Sequence, residues 1–310
     1  MNTPYHEGEM AVQRRANESD IAERNGMVIK DVIIGGALPF IRQQPMAVMG
    51  SQDKEGRLWA SLVFGKPGFL EPANDARSLR ILLSEADRQP ADPFWRNIAG
   101  NSQIGMLVIE LGSRRRLRIN GRAVSIRADE VLIEIDEAYP NCPKYIQRRH
   151  VRPLFPGGFF VAGDALHGTA LDPDRTALIR RADTFFVATA HATRGTDASH
   201  RGGNPGFVKV LDATTLRIPD YRGNSMFNTL GNLAVNPNAG LLFPDFENRR
   251  VLQLTGTAEI LWDQADAAGE SGGTRRFWHF HPEDWLETQF PSSITSEFLD
   301  YSPYNPKTDQ

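Results

Sequence analysis

Cysteine is almost missing from this chain. Cys142 is the only one, which excludes an intrachain disulfide and an iron–sulfur cluster held by the chain's own thiolates, and fits a reducing compartment. Long apolar runs are missing too: no stretch of about 18 uninterrupted apolar residues exists, so no membrane-spanning helix is expected. Met1 to Gly26 carries Glu7, Glu9, Arg14, Arg15, Glu18, Asp20, Glu23 and Arg24 and has no apolar signal core, so a cytoplasmic location is expected. Positive charge is not in excess. A net charge of -3 argues against a general nucleic-acid binder. The local exception, Arg114-Arg115-Arg116-Leu117-Arg118, reads equally as a solvated strand face or as a phosphate-binding one. A Gly-x-Gly-x-x-Gly fingerprint, a Walker-type loop and a nucleophile elbow are all absent.

What the chain does have is repetition. Gly65, Pro67, Gly68 and Phe69 recur as Gly203, Pro205, Gly206 and Phe207. At a nearly equal offset Asn97, Ala99, Asn101, Gly105, Gly121 and Ala123 recur as Asn232, Ala234, Asn236, Gly240, Gly256 and Ala258. Chance matches would scatter over many offsets, so a whole structural unit occurs twice. With 310 residues, 40% of them hydrophobic, the chain can bury two ordinary cores. Glu7 to Asn25 reads as one exposed helix, an arm outside the core. Strands are expected at Met46–Met49, Leu58–Phe64, Leu79–Leu83, Gln103–Leu111 and Leu117–Ile126, with a helix over Asp92–Gly100. The second copy matches with strands at Thr184–Ala190, Gly206–Val210, Thr215–Ile218, Ala239–Phe243 and Val251–Leu261 and a helix over Asn228–Val235. The fold class is therefore mainly β (α+β): an N-terminal helical arm over 1–27, then two small barrels with short helices over 28–150 and 151–310. The Pro/Gly-rich passage Pro153–Gly163 marks the join. Asp263–Thr274 is expected to be mobile and Phe277–Phe280 to add one short strand.

The copies differ in chemistry. Only the second contains Asp220-Tyr221-Arg222-Gly223-Asn224-Ser225-Met226-Phe227-Asn228, between a strand and the opening of a helix, where backbone N–H groups, a hydroxyl and a guanidinium suit a phosphate. The bland alternative is a capped turn with Asn224 or Ser225 as N-cap. The matching stretch of the first copy carries Glu85, Asp87 and Asp92, which would repel phosphate, so one cofactor site per chain is expected. The second copy also has Asp197-Ala198-Ser199-His200-Arg201 where the first has the more apolar Trp59-Ala60-Ser61-Leu62-Val63. Such polar residues are costly inside a barrel unless paired or bound to something. Lys144, Gln147 and Arg148 read as one polar face of a helical turn, equally a plain solvated face or a source of charge that balances phosphate. His279 and His281 alternate onto one strand face, a possible metal or haem pair or a plain exposed strand.

These residues resemble the flavin-binding split barrel of the pyridoxamine 5'-phosphate oxidase family, above all Asn236-Pro237-Asn238-Ala239-Gly240-Leu241-Leu242-Phe243 and Gly256-Thr257-Ala258-Glu259. Ser199-His200-Arg201-Gly202-Gly203, Pro219-Asp220-Tyr221-Arg222 and Asn141-Cys142-Pro143-Lys144-Tyr145 resemble a bacterial branch of related FMN-binding proteins. The resemblance implies two tandem FMN-binding split β-barrels, with FMN at a seam that the family normally builds from two subunits. It puts the phosphate at Arg222, Ser225 and Asn228, with Asn224 beside them. Asp220 and Tyr221 fall near the ring and ribityl chain, and Lys144, Gln147 and Arg148 supply balancing charge. Ser199, His200 and Arg201 face the isoalloxazine or a small-molecule substrate, and His200, with Arg201, is the catalytic candidate because an imidazole titrates near neutrality. A nicotinamide or a separate reductase would supply electrons, and a homodimer is expected. The alternative is a non-catalytic flavin- or haem-binding protein handing electrons to a partner. The family's Ser-Arg-Lys run is Ser225-Met226-Phe227-Asn228 here and its Arg-Leu-x-Pro element is missing, so oxidation of pyridoxamine phosphate is not implied.

Overall fold

The computed structural model describes residues 3–153 and 165–307. Most of the expected Pro/Gly-rich join and the last three residues of the tail lie outside them. Two sheets of the same design follow one another. The first contains β1 (Met46–Gln52), β2 (Leu58–Phe64), β3 (Leu70–Pro72), β4 (Ser78–Leu82), β5 (Gln103–Glu110), β6 (Arg115–Ile126) and β7 (Glu130–Pro140) in the order β2-β1-β5-β6-β7-β4-β3. After β8 (Arg148–Pro153) and β9 (Leu166–Gly168), the second contains β10 (Thr184–His191), β11 (Gly195–Gly202), β12 (Lys209–Asp212), β13 (Thr215–Pro219), β14 (Asn238–Asp245), β15 (Arg250–Leu261) and β16 (Phe277–Gln289). Its order, β11-β10-β14-β15-β16-β13-β12, repeats the first strand for strand. β17 (Ile294–Asp300) returns to pair with β8, so the end of the second unit is tied to the strand that leaves the first.

Each barrel fills itself with one face of its strands: Ala47, Met49, Val108 and Ile119 in the first, Phe185, Val187, Leu241 and Trp278 in the second. The other faces of β1, β2, β5, β10, β11 and β14 meet each other. Met46, Val48, Leu62 and Leu107 pack there against Phe186, Ala188, Ala198 and Leu242 in a third apolar cluster. This is why β2 and β10 are buried at every position and read as continuous apolar runs rather than alternating ones. The seam also demands glycine. A Cβ on Gly105 would lie 2.5 Å from the carbonyl carbon of Asp197, and one on Gly240 2.4 Å from the Leu58 oxygen. Backbones cross in contact at two related places.

Among the described residues six α-helices decorate the barrels: α1 (Glu7–Arg15), α2 (Ser19–Gly26), α3 (Leu38–Gln43), α4 (Pro93–Gly100), α5 (Pro173–Arg181) and α6 (Asn228–Val235). The expected single exposed arm helix is instead α1 and α2, separated at Asn17, which takes a left-handed φ of 57°. Nor is it outside the core. A capping box between His6 and Glu9 starts α1, and Gly8, Glu9, Val12 and Gln13 are buried, with Val12 in the second barrel's core. Amphipathicity was masked because the buried face holds glycine, glutamate and glutamine beside one valine. β16 runs for 13 residues, far beyond the short strand expected from Phe277–Phe280. Proline interrupts most strands, but Pro282 sits opposite Gly256 at a register shift, where a ladder bond is already lost. Asp263–Thr274, expected to be mobile, is pinned by Ser271 N–H donating to Asp266 at 3.1 Å and by Arg275 Nε donating to the Gln264 carbonyl at 3.0 Å. No helix among the described residues is long and apolar enough to cross a membrane.

Candidate functional site

Arg116, Arg118 and Asn120 alternate onto the outer face of β6, opposite the residues that fill the first barrel. That face meets β11. Arg118 Nε donates to the Ala198 carbonyl at 3.2 Å and pairs with Asp197 Oδ1 at 2.9 Å, Nη1 donates to Asn228 Oδ1 at 2.6 Å, and Nη2 reaches the Ser199 hydroxyl.

The same construction recurs at the related end of the seam with different residues. Gln253 Nε2 on β15 donates to the Ala60 carbonyl at 2.8 Å, to the Ser61 hydroxyl at 3.1 Å and to Asp92 at 3.3 Å. Gln253 thus takes the place of Arg118, and Ser61 that of Ser199. Asp92, the N-cap of α4, accepts from the Phe94 N–H at 2.9 Å and from Ser61 at 2.6 Å, filling this end with the chain's own carboxylate. The α6 N-cap at the other end is Phe227, left-handed at φ 61° and without a side-chain cap. An open cleft lies there instead.

Burial pushes the Asp92 carboxyl up to about 6, against the pull of Ser61, the Phe94 N–H and Gln253. The folded state therefore holds its proton more tightly than the unfolded chain, and stability falls as pH climbs from about 4 to about 6. Asp92→Asn is expected to remove this step and to unfold no more easily than the parent at pH 7, with a gain of up to about 3 kcal/mol. Denaturant titrations from pH 4 to pH 8 check it; parallel pH profiles for the two proteins would show that Asp92 is not the group responsible.

The cleft is lined by Arg116, Arg118, Asn141, Lys144 and Tyr145 of the first unit and by Ser199 to Gly202, Asp220, Tyr221, Asn224, Ser225 and Phe227 to Leu230 of the second. Arg116 stands out. It is partly buried, and among the described residues its guanidinium reaches only carbonyls, that of Cys142 at 2.8 Å and that of His200 at 3.4 Å. Burial, together with Arg118 and Arg201, pushes it down to about 9. A cation held in this way is unfavourable until an anion joins it. The space wide enough for a water molecule is about 100 Å³, below the several hundred a cofactor-sized ligand fills, so entry must part the lining side chains.

The expected site residues divide sharply. Ser199, His200, Arg201, Asp220, Tyr221, Asn224, Ser225, Asn228 and Lys144 line the cleft. Arg222 does not: it is exposed, and only its carbonyl is used, by the Tyr145 hydroxyl at 3.0 Å. Gln147 and Arg148 also fall away. Residues 144–148 form a turn running into β8 rather than a helical turn. Gln147 is wholly buried, donating to the carbonyls of Asp183 and Gly203, and Arg148 pairs with Asp300. Asp220 is locked between Arg201 Nη1 at 2.9 Å and Arg276 Nε at 3.0 Å. Ser225 donates to Glu18 and Asn228 to Glu9. Asn224 accepts from the Met226 N–H at 3.1 Å, a capped turn. His200 points toward the seam against the edge of Phe186, both ring nitrogens buried without a partner. Burial first, then Arg116, Arg201 and Arg149, drives its pKa well below the usual value. In the ligand-free chain the His200 ring is thus driven toward its neutral form, away from the near-neutral titration expected of it.

Of the ambiguous arginine run, Arg114 pairs with Asp300 and Arg115 lies over Phe40, whereas Arg116 and Arg118 face the cleft. The alternation of the run was the signal that separated them, but only the position of the second barrel gives it meaning. His279 and His281 sit with ring centroids 6.3 Å apart and gather no third ligand among the described residues. His6, Glu7 and His191 do cluster, but the two imidazoles stack at 4.1 Å with planes 24° apart, so their in-plane lone pairs do not converge on a metal.

Two barrels of identical strand order meeting face to face, with a polar cleft at one end of the seam, define a tandem split-barrel protein. The pyridoxamine 5'-phosphate oxidase family profile matches residues 37–151 and again 171–289, and the chain belongs to that family. No curated protein sequence matches it. Similar solved structures include HupZ of Group A Streptococcus, 19% identical over 40% of this chain and 98% of its own, with a TM-score of 0.31. The FAD-binding protein of Mycobacterium smegmatis is 16% identical over 39% of this chain and 99% of its own, with a TM-score of 0.28. A Clostridium acetobutylicum protein related to general stress protein 26 is 16% identical over 41% of this chain and 92% of its own, with a TM-score of 0.28.

Proposed function

We propose that the seam cleft binds FMN, one molecule per chain, and that the protein uses it as an oxidoreductase acting on a small molecule. The observation that carries this reading is Arg116, a guanidinium in the cleft with carbonyls but, among the described residues, no carboxylate around it. Phosphate supplies the missing charge, with Lys144 also lining the cleft and the Asn141–Asn224 pair adding neutral polar groups. The unpartnered nitrogens of His200 and the unpartnered Nε of Arg201 offer further polar groups that the protein itself leaves unused. Tyr145 and Tyr221, with ring centroids 4.9 Å apart, provide an aromatic wall. The related end of the seam is closed by Asp92, which gives one site rather than two.

FMN, when bound, supplies two-electron transfer through its ring. The chain's own part is to bind, orient and exclude water. Arg118, held by Asp197, Asn228 and Ser199, and Arg201, held by Asp220, place positive charge at the cleft, which favours a ligand that gains negative charge. Neutral His200 accepts or donates a hydrogen bond without carrying charge. The chain has no dinucleotide-binding fingerprint, so electrons come from a nicotinamide at the flavin face or from a separate reductase.

The visible absorption spectrum of the purified chain, before and after incubation with FMN and desalting, tests the reading. Flavin bands near one equivalent per chain are expected. A protein that stays colourless after desalting does not have this function.

A further inference from the structure

Two chains of contacts run from the N-terminal helices to the two paired arginines of the cleft. In the first, Glu18, the residue that opens α2, accepts from Ser225 and lies 3.7 Å from Arg276 Nη1. Arg276 Nε donates to Asp220 Oδ2 at 3.0 Å, and Asp220 Oδ1 accepts from Arg201 Nη1 at 2.9 Å. Signs alternate along it, and Glu18, Arg276 and Asp220 are all buried. In the second, Glu9 of α1 accepts from Asn228 Nδ2, whose Oδ1 accepts from Arg118 Nη1 at 2.6 Å. Arg276 also lies over the Phe227 ring, 5.1 Å from its centre, so the first chain props the cleft wall as well.

The helices are firmly seated. Gly8 meets Gly231 of α6 so closely that a Cβ would lie 2.2 Å from the Gly231 oxygen, Gln13 donates to the Met226 carbonyl at 3.0 Å, and Asn25 donates to the Asn224 carbonyl at 2.7 Å. All these contacts are to the loop and helix that line the open cleft. A fixed carboxylate at the far end of such a chain confines the next arginine, which confines the next carboxylate, because each buried charge loses heavily if its partner moves.

We infer that Glu18 and Glu9 are positioning residues for the cleft: Glu18 acts through Arg276 and Asp220 on Arg201, and Glu9 acts through Asn228 on Arg118. The inference deepens the flavin reading, since the arginines so placed are those facing the proposed cofactor. The N-terminal segment thus belongs to the site without touching its ligand.

The test needs no ligand at first. In the full chain labelled with ¹⁵N-arginine, the Nε–H resonances of Arg201 and Arg118 are assigned from Arg201→Lys and Arg118→Lys. Glu18→Gln is expected to move the Arg201 resonance and leave Arg118 in place, and Glu9→Gln to do the reverse. Glu18→Asp, which keeps the charge, returns the Arg201 signal toward its original position and serves if Glu18→Gln does not fold. An Arg201 resonance unmoved in a folded Glu18→Gln protein overturns the inference.

FMN titration adds a second arm. Glu18→Gln is expected to weaken FMN by about 5- to 10-fold in the parent and by less than about 2-fold when Arg201→Gln is already present, the non-additivity of residues acting in one chain. Equal losses in both backgrounds overturn the inference while leaving flavin binding intact. A parent protein that takes up no FMN removes the flavin reading alone, and the resonances then decide.

Discussion

Replacing Arg116 by glutamine is expected to weaken FMN binding by roughly 30- to 150-fold, the equivalent of about 2–3 kcal/mol for a charge-assisted hydrogen bond. The reason is local. Arg116 has no carboxylate beside it among the described residues, so its charge awaits an anion, whereas Arg118 and Arg201 already have Asp197 and Asp220. Stability should respond in the opposite sense, since an uncompensated cation is removed: the ligand-free variant is expected to unfold no earlier than the parent. Arg222→Ala is the contrasting control. The exposed Arg222 side chain does not line the cleft, and its loss should change affinity by less than about 2-fold. Isothermal titration with FMN on the three proteins checks both, and a large loss at Arg222 with none at Arg116 would return the phosphate to the place the sequence motif had suggested.

Gly105→Val is expected to be the most damaging single substitution at the seam, costing about 3–5 kcal/mol. The new side chain meets the Asp197 and Ala198 backbone at 2.5 to 2.7 Å. Backbone cannot rotate away as a side chain can, so the strands of the two barrels must part. Water then enters beside Leu107 and Phe186, and the cleft, whose walls come from both units, loses its shape. Urea unfolding followed through tryptophan emission reports this directly, because buried Trp59 lies beside Gly240 at the related crossing. Gly36→Ala, at a position with no heavy atom within 4 Å of the added carbon, should stay within about 0.5 kcal/mol of the parent. Similar losses at both glycines would mean that the seam is not what holds the barrels together.

Much of this was legible from residue order. The doubled Gly-x-Pro-Gly-Phe and Asn-x-Ala-x-Asn patterns gave two units, and the β1, β2, β5 and β10 runs gave strands near their true bounds. Ser199, His200, Arg201, Asp220, Tyr221, Asn224, Ser225 and Asn228 all reached the cleft from two polar clusters well apart in the chain. Hidden from that reading were β16, disguised by Pro282, and the buried face of α1, disguised by glycine and glutamate. Also hidden were the roles of Gln147, Arg148 and Arg222. A polar residue spends its hydrogen bonds on whatever lies nearest in space, and for Gln147 that is the backbone of Asp183 and Gly203.

The sequence by itself determined that this protein is a pair of similar β units with their polar chemistry concentrated in the second. Local periodicity and turn residues suffice for that, because they act over a few neighbouring residues. Tertiary structure alone decided which charges are paired. Arg116 and Arg118 come from the first unit and work in the second, and Glu9, Glu18 and Asp92 are buried among groups far away in the chain. Whether a charge is stabilised or left wanting a ligand depends on desolvation and on partners a few ångströms away. Those neighbours exist only once the two barrels have closed on each other.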